Sequence, residues 1–180
     1  IAIISLGGIV LGRSIRIAGD EMDEAIVNYF RLKYSLLLGQ PTAEEVKITI
    51  GSAANEGKDK NEKFTVVRGR DLETGLPRSQ KLGSDEVREA LAPIVQELVG
   101  HIKDTLEEAP PELVGDIMKR GIVMAGGGSL IAGIADMVSE ATKTKVFVAD
   151  DPISCVAKGC GKVLSNPVLL KRIRVTSGLR

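Results

Sequence analysis

Three glycines in a row are the strongest chemical feature of this 180-residue chain. Gly126, Gly127 and Gly128 follow an apolar run, Ile122 to Ala125, that reads as a buried strand, and precede a stretch from Ser129 to Thr142 with helical spacing. Without side chains the backbone can approach a ligand closely, and the N–H groups that open a helix suit polar or anionic groups. Two phosphate-binding patterns fail in detail. A Walker A loop needs Gly-Lys followed by Ser or Thr, and here Gly128 is followed by Ser129 and Leu130; a dinucleotide fingerprint needs a third glycine where Ile131 stands. On the glycines alone, a tight strand-to-helix turn that binds nothing stays equally open.

Glu44 and Lys47 form the second candidate. Three positions apart on a short helix, they are expected on one side of it, roughly opposite Val46 and Ile50, so that a carboxylate and an ammonium reach outward together. Such a pair can hold a ribose, Glu44 accepting from hydroxyls and Lys47 donating. The alternative, which spacing alone favours, is a solvated ion pair contributing a few tenths of a kcal/mol. His101 has no nucleophile pattern with it and reads as a flanking surface residue. Asp20 and Asp23 fall in the first turn of a helix, where the dipole favours acids, and are not read as a catalytic pair.

These residues need a scaffold, and the chain supplies an alternating one. Ile1 to Ser5 and Ile9 to Ile17 read as antiparallel strands around Gly7-Gly8, a hairpin signal. Asp20 opens a helix whose apolar positions run through Met22, Ile26, Phe30 and Leu37 to Gly39. A short helix follows Pro41, with a capping box predicted from Thr42 and Glu45, a C-terminal glycine at Gly51, and an apolar face of Ala43, Val46 and Ile50. Asn55 to Lys63 reads as an exposed loop. Phe64 to Arg68 and Arg78 to Leu82 read as short strands, and Ser84 as the cap of a long helix interrupted by Pro93. After Pro110-Pro111 come a helix from Glu112 to Arg120, the strand and glycines, a strand from Lys145 to Ala149, and a helix beginning at Asp151-Pro152. Strand and helix in alternation indicate the α/β class. The tail, with Lys171, Arg172, Arg174 and Arg180, reads as a solvated end.

Composition narrows the function classes. With 43% hydrophobic residues the chain can bury a core, and 24 basic against 24 acidic residues leave no basis for a nucleic-acid partner or a polybasic anchor. Aromatic residues make up 3% and glycines number 20, so the core is aliphatic and close backbone turns are many. Cys155 and Cys160 lie five apart, a poor spacing for a disulfide or a metal site, and a reducing, cytoplasmic setting is expected.

Read together, several stretches resemble the MreB family of bacterial actin-like cell-shape proteins. They are ISLGGIV at Ile4 to Val10, SIRIAGDEMDEAI at Ser14 to Ile26, TAEEVKITIGSA at Thr42 to Ala53, VRGRDLETGLP at Val67 to Pro77, PPELVGDIMKRGIVMAGGGSLIAG at Pro110 to Gly133, and DDPISCVAKGCGK at Asp150 to Lys162. The resemblance implies an actin-like, ribonuclease H-like ATPase lobe of α/β class with a small inserted α/β subdomain: 1–40 and 122–165 as its core, 41–121 as the insertion, 166–180 as a tail. It implies that Gly126, Gly127, Gly128 and Ser129 match the adenosine-binding loop and that Glu44 and Lys47 address the ribose and base edge, with ATP and Mg2+ as the cofactor of a two-lobed protein. Glu45 departs from a position often basic or small in the family, and the loop at Asn55 to Lys63 looks long.

The family's phosphate loops, its water-positioning carboxylate and its membrane-binding segment have no match in this chain, which is therefore expected to be the second lobe alone, without ATPase activity. The implied partners are like subunits in a filament, a membrane-anchored adaptor and the cell-wall synthesis complex, at the inner face of the membrane, with membrane contact only through the other lobe. A chaperone-like or kinase-like relative, or a non-catalytic interaction lobe, is the alternative.

Overall fold

A computed structural model describes residues 1–53 and 63–176, with side chains to residue 171. The predicted loop at Asn55 to Lys63 therefore lies, except for Lys63, outside the described residues, as do Arg180 and the side chains of Arg172 and Arg174.

The chain opens with a hairpin, β1 (Ala2–Ser5) against β2 (Gly8–Gly12), in the register Ser5↔Gly8 and Ala2↔Gly12. Its turn residues are Leu6 and Gly7, with φ of 51° and 78°. Two left-handed residues make the tight turn that suits the twist of paired strands, so the turn sits one residue earlier than the Gly7-Gly8 reading. The second strand also ends at Gly12 rather than Ile17.

Helix α1 (Gly19–Tyr34) buries Met22, Ile26 and Phe30 in one stripe. It stops at Ser35, which is left-handed, and Leu36–Leu37 form a short strand, β3, rather than the helix's last turn. Strand β4 (Phe64–Asp71) pairs antiparallel with β3 and with β5 (Pro77–Gly83), giving a three-stranded sheet in the order β3-β4-β5. Asp71 closes the β4–β5 turn: its carboxylate accepts from the N–H groups of Glu73 and Thr74 at 2.9 and 3.0 Å and from Arg78 at 2.6 Å.

Helix α2 (Gln40–Ile50) buries Ala43, Val46 and Ile50 as predicted. Its cap differs. Gly39 is the N-cap with Pro41 in the first turn, and Thr42 is already helical, so no side-chain box forms. Gly51 ends the helix in an extended conformation, with φ −61° and ψ 132°; glycine is needed there because a Cβ would lie 2.2 Å from the Lys47 carbonyl oxygen.

Helix α3 (Ser84–Glu107) starts one residue earlier than a Ser84 cap would give. Gly83 is the N-cap, and its N–H donates to Glu86. The helix carries Pro93 and still runs 24 residues, about 36 Å. Val87, Leu91, Val95, Val99 and Ile102 face α1 and α5 (Ile134–Thr142), which contributes Ile134 and Val138. The core is thus a helix layer with the β3-β4-β5 sheet packed at one end through Leu36, Val67 and Leu82.

Helix α4 (Pro111–Arg120) leads to β6 (Ile122–Met124), which pairs in parallel with β7 (Val146–Val148) in the register Ile122↔Val146 and Met124↔Val148. Parallel neighbours require a crossover, and α5 provides it. Helices α6 (Cys155–Leu164) and α7 (Pro167–Thr176) are the last described elements, so the basic tail begins as a helix. Both cysteines are free. Among the described residues no helix is long and apolar enough to cross a membrane.

Candidate functional site

The glycines do not open a helix directly. After β6 the backbone passes Gly126 at φ 89° and ψ 163°, a region open to glycine alone. It then makes one turn of 3-10 helix, Gly127–Leu130, and reaches α5 only at Ile134, after a left-handed Gly133. A bond from the Gly126 N–H to the Pro152 carbonyl, 2.7 Å, ties the turn to the segment before α6. Ser129 is buried, and both its N–H and its hydroxyl donate to the Gly126 carbonyl, at 3.1 and 2.7 Å. Ser129 therefore holds the turn closed from within and does not offer its hydroxyl proton outward.

What the turn does present is bare backbone. A Cβ built on Gly126, Gly127 or Gly128 would meet no described atom within 4 Å. The N–H groups of Gly127 and Gly128 donate to no described carbonyl outside the turn. Glycine at 127 and 128 is not demanded by neighbouring atoms, and its backbone faces open space.

The C-terminal end of α2 is tied to the segment just after this turn. Ser52, just past α2, forms a parallel bridge with Ala132, and the Ala53 N–H donates to the Ala132 carbonyl at 2.8 Å. Residues some 80 positions apart are thereby joined at the C-terminal end of α2. Glu44 lies about two turns back along that helix. It is exposed and makes no hydrogen bond or ion pair among the described residues.

Lys47 corrects the expected geometry. It does not reach outward beside Glu44. Its ammonium turns towards α1, donating to the Gly19 carbonyl and to Asp23 Oδ2, both at 2.9 Å, with Asp23 Oδ1 at 2.8 Å. The two side chains are only 12% and 7% exposed. The reason lies in helix geometry: Ala43, Val46, Lys47 and Ile50 fall at i, i+3, i+4 and i+7, the spacing of one buried stripe. Asp23, Ile26, Val27 and Phe30 repeat that spacing on α1. A lysine at a core-flanking position of one helix meets an aspartate at the equivalent place on the next. Removing one partner of such a pair costs about 3–5 kcal/mol, because the other is left charged and buried.

Asp23 is thus the residue that motif reading passed over. Asp20 is exposed in the first turn of α1 as expected, but Asp23 lies beyond that turn and is buried. The available signal was a charge within an apolar stripe.

His101 is half-buried and lies 3.9 Å from Asp104, which Arg13 also engages along with Glu108. The Thr105 hydroxyl donates to the His101 carbonyl at 2.7 Å. Elsewhere a recess of about 890 Å³ opens between α1, α3 and α5, lined among others by Lys33, Glu86, Glu89 and Met137. Lys33 donates to Tyr29 at 2.6 Å and contacts Glu86 at 3.1 Å; these hydrogen bonds push its ammonium above the usual lysine range. Burial raises the Glu86 carboxyl, but hydrogen bonds from Tyr34 and the Gly83 N–H, together with Lys33, outweigh it and leave it lowered. None of the six candidate residues lines this recess.

Comparison with known proteins shows what the chain is similar to. The profile of the family described as MreB/Mbl protein matches residues 1–172. The cell shape-determining protein MreB of Escherichia coli (strain K12) is 46% identical over 164 residues, covering 91% of this chain and 46% of that protein. A crystal structure of MreB 5 of Spiroplasma citri bound to AMPPNP is 38% identical with a TM-score of 0.86, covering 99% of this chain and 51% of that one. A MamK double helical filament, 22% identical over 83% of this chain and 45% of that one, has a TM-score of 0.68 and shares the fold. The chain spans about half the length of the curated relatives it matches.

Proposed function

The chain belongs to the MreB/Mbl family of actin-like proteins, and on that premise we propose that it is the nucleotide-binding second lobe of a filament-forming cell-shape protein. The observation that carries the reading is the bare glycine turn, whose Cβ positions open into free space while Gly126 and Ser129 lock its backbone. Adenosine would lie along Gly126 to Gly128, with Ser129 bracing the turn, Glu44 accepting from ribose hydroxyls and Lys47 donating from its place beside Asp23. A relative's structure with AMPPNP supports an adenine nucleotide as the ligand.

ATP would be that nucleotide, and when bound it supplies polar contacts joining this lobe to another. Among the described residues no group of three or more His, Cys, Asp or Glu could hold a metal ion. Mg2+ accompanying ATP would be held in part by phosphate oxygens and water.

Within this reading residues 1–40 and 122–165 would form the core subdomain, 41–121 the insertion and 166–180 a tail, with one buried cluster from α1, α2, α3 and α5 crossing between the first two. Ile4, Ile9, Val123, Phe147 and Val156 are all at least half exposed. Assembly into filaments at the inner face of the membrane, with an adaptor and the cell-wall synthesis complex as partners, is the cellular role we infer. The test is calorimetric titration of the chain with ATP. Saturable heat is expected, and its absence at millimolar nucleotide would refute the assignment.

A further inference from the structure

The Lys47 ammonium has three N–H groups, and the structure accounts for two. One donates to Asp23 Oδ2 and one to the Gly19 carbonyl, both at 2.9 Å. Asp23 Oδ1 stands 2.8 Å from the nitrogen, but no hydrogen bond reaches that oxygen, and it has no other partner among the described residues. Among the described residues the third N–H has no acceptor other than that oxygen, on a side chain that is 12% exposed.

Gly19 completes the seat. A Cβ there would lie 3.2 Å from Lys47 Nζ, nearer than ordinary van der Waals contact. The start of α1 thus offers the ammonium a carbonyl, a carboxylate and a place where no side chain intrudes.

We propose that Asp23 is a positioning residue for nucleoside binding, which with the Gly19 carbonyl fixes Lys47 so that its third N–H is held ready for the ligand. The proposal rests on the nucleotide reading above. A free lysine loses rotamer freedom when a ligand immobilises it; here that loss has been met in folding. The sign of the effect is diagnostic. If Asp23 acted only through charge, neutralising it would leave Lys47 unopposed and tighten binding of an anionic ligand. If it acted only in folding, affinity would stay unchanged as stability fell. Positioning alone predicts weaker binding of charged and uncharged nucleosides alike.

The experiment titrates the isotopically labelled chain with adenosine and, separately, with ATP, following the amide signals of Gly126 to Gly128 in wild type, Asp23→Asn, Lys47→Met and the double variant. Asp23→Asn is expected to weaken both ligands about tenfold, equivalent to ~1.4 kcal/mol, with no further loss when combined with Lys47→Met. Unchanged adenosine affinity, or tighter ATP binding, would overturn the proposal.

Should Asp23→Asn not fold, the Lys47 ammonium signal of the wild-type chain decides. It should be protected from exchange and shift on adding adenosine while the contact to Asp23 persists. An ammonium that exchanges freely, or that leaves Asp23 when adenosine binds, contradicts positioning. If the wild-type chain binds neither ligand, the nucleotide reading itself fails, an outcome distinct from binding that is indifferent to Asp23.

Discussion

Replacing Gly127 with valine and, separately, Gly126 with alanine sets a binding role against a folding role at adjacent positions. At Gly127 a Cβ meets no described atom within 4 Å and φ is not left-handed. Gly127→Val therefore removes no packing, and its effect on stability should stay within about 0.5 kcal/mol, as for exposed sites. Gly126 is at φ 89° and ψ 163°, so Gly126→Ala should cost ~1–3 kcal/mol and loosen the bond to the Pro152 carbonyl. For a ligand the expected effects are reversed. Carbon atoms in contact sit about 3.5–4.0 Å apart, so the methyl groups of a valine at 127 take the space in which a base would touch the backbone. Affinity for ATP should fall at least tenfold, ~1.4 kcal/mol. Urea unfolding followed by circular dichroism measures the first quantity and calorimetry the second. Unchanged ATP affinity in Gly127→Val would show that the ligand does not lie on this turn. Equal destabilisation by both variants would show that the turn is packed shut.

Three further predictions concern the scaffold. Hydrogen bonds from the N–H groups of Thr74 and Glu73, with Arg78 adding to them, hold the Asp71 carboxyl below the usual carboxylate range. A depressed folded value contributes stability above the unfolded pKa and loses it as pH falls through the folded one. Wild type should therefore exceed Asp71→Asn in urea midpoint at neutral pH and lose that lead in strong acid; a lead that grows on acidification would contradict the assignment. Phe30 is fully buried, edge-on to Tyr29 and stacked on Tyr34, and Phe30→Ala should cost ~3–5 kcal/mol in the same assay. A Cβ on Gly69 would lie 2.6 Å from the Leu37 carbonyl and 3.0 Å from Leu36 and Leu38. Gly69→Ala should thus cost ~1–3 kcal/mol and speed hydrogen exchange in β3, with unaltered exchange telling against this packing.

Much of the scaffold can be read from the residues because its signals are local. The stripes Met22, Ile26, Phe30 and Ala43, Val46, Ile50 place α1 and α2, and turn chemistry places the hairpins. Errors cluster where two local rules compete. Leu36 and Leu37 continue a helical spacing, yet the left-handed Ser35 breaks the helix, and pairing with Asp71 and Arg70 makes them a strand. That partner lies more than 30 residues away and no local rule contains it. Ser129 looks like a helix start, but the glycines before it admit a 3-10 turn that postpones α5 to Ile134.

The candidate site is legible to a different degree at each residue. Glycines 126 to 128 announce themselves by composition, and Glu44 stays on the exposed face its position suggests. Lys47 is misread by pairing it with Glu44, since i, i+3 spacing says two residues are near each other and not which way either side chain turns. Its true partner, Asp23, lies on another helix. Recognising it requires asking of each charge in an apolar stripe what compensates it.

The central claim is that an adenine nucleotide lies against the main chain at Gly126 to Gly128, with its ribose towards Glu44. A crystal structure of this chain with AMPPNP tests that most directly. The account predicts the nucleoside within contact distance of the Gly127 and Gly128 backbone, with Lys47 still seated on Asp23. A nucleotide bound instead in the recess beside Lys33 and Glu86, with the glycine turn bare, would contradict it.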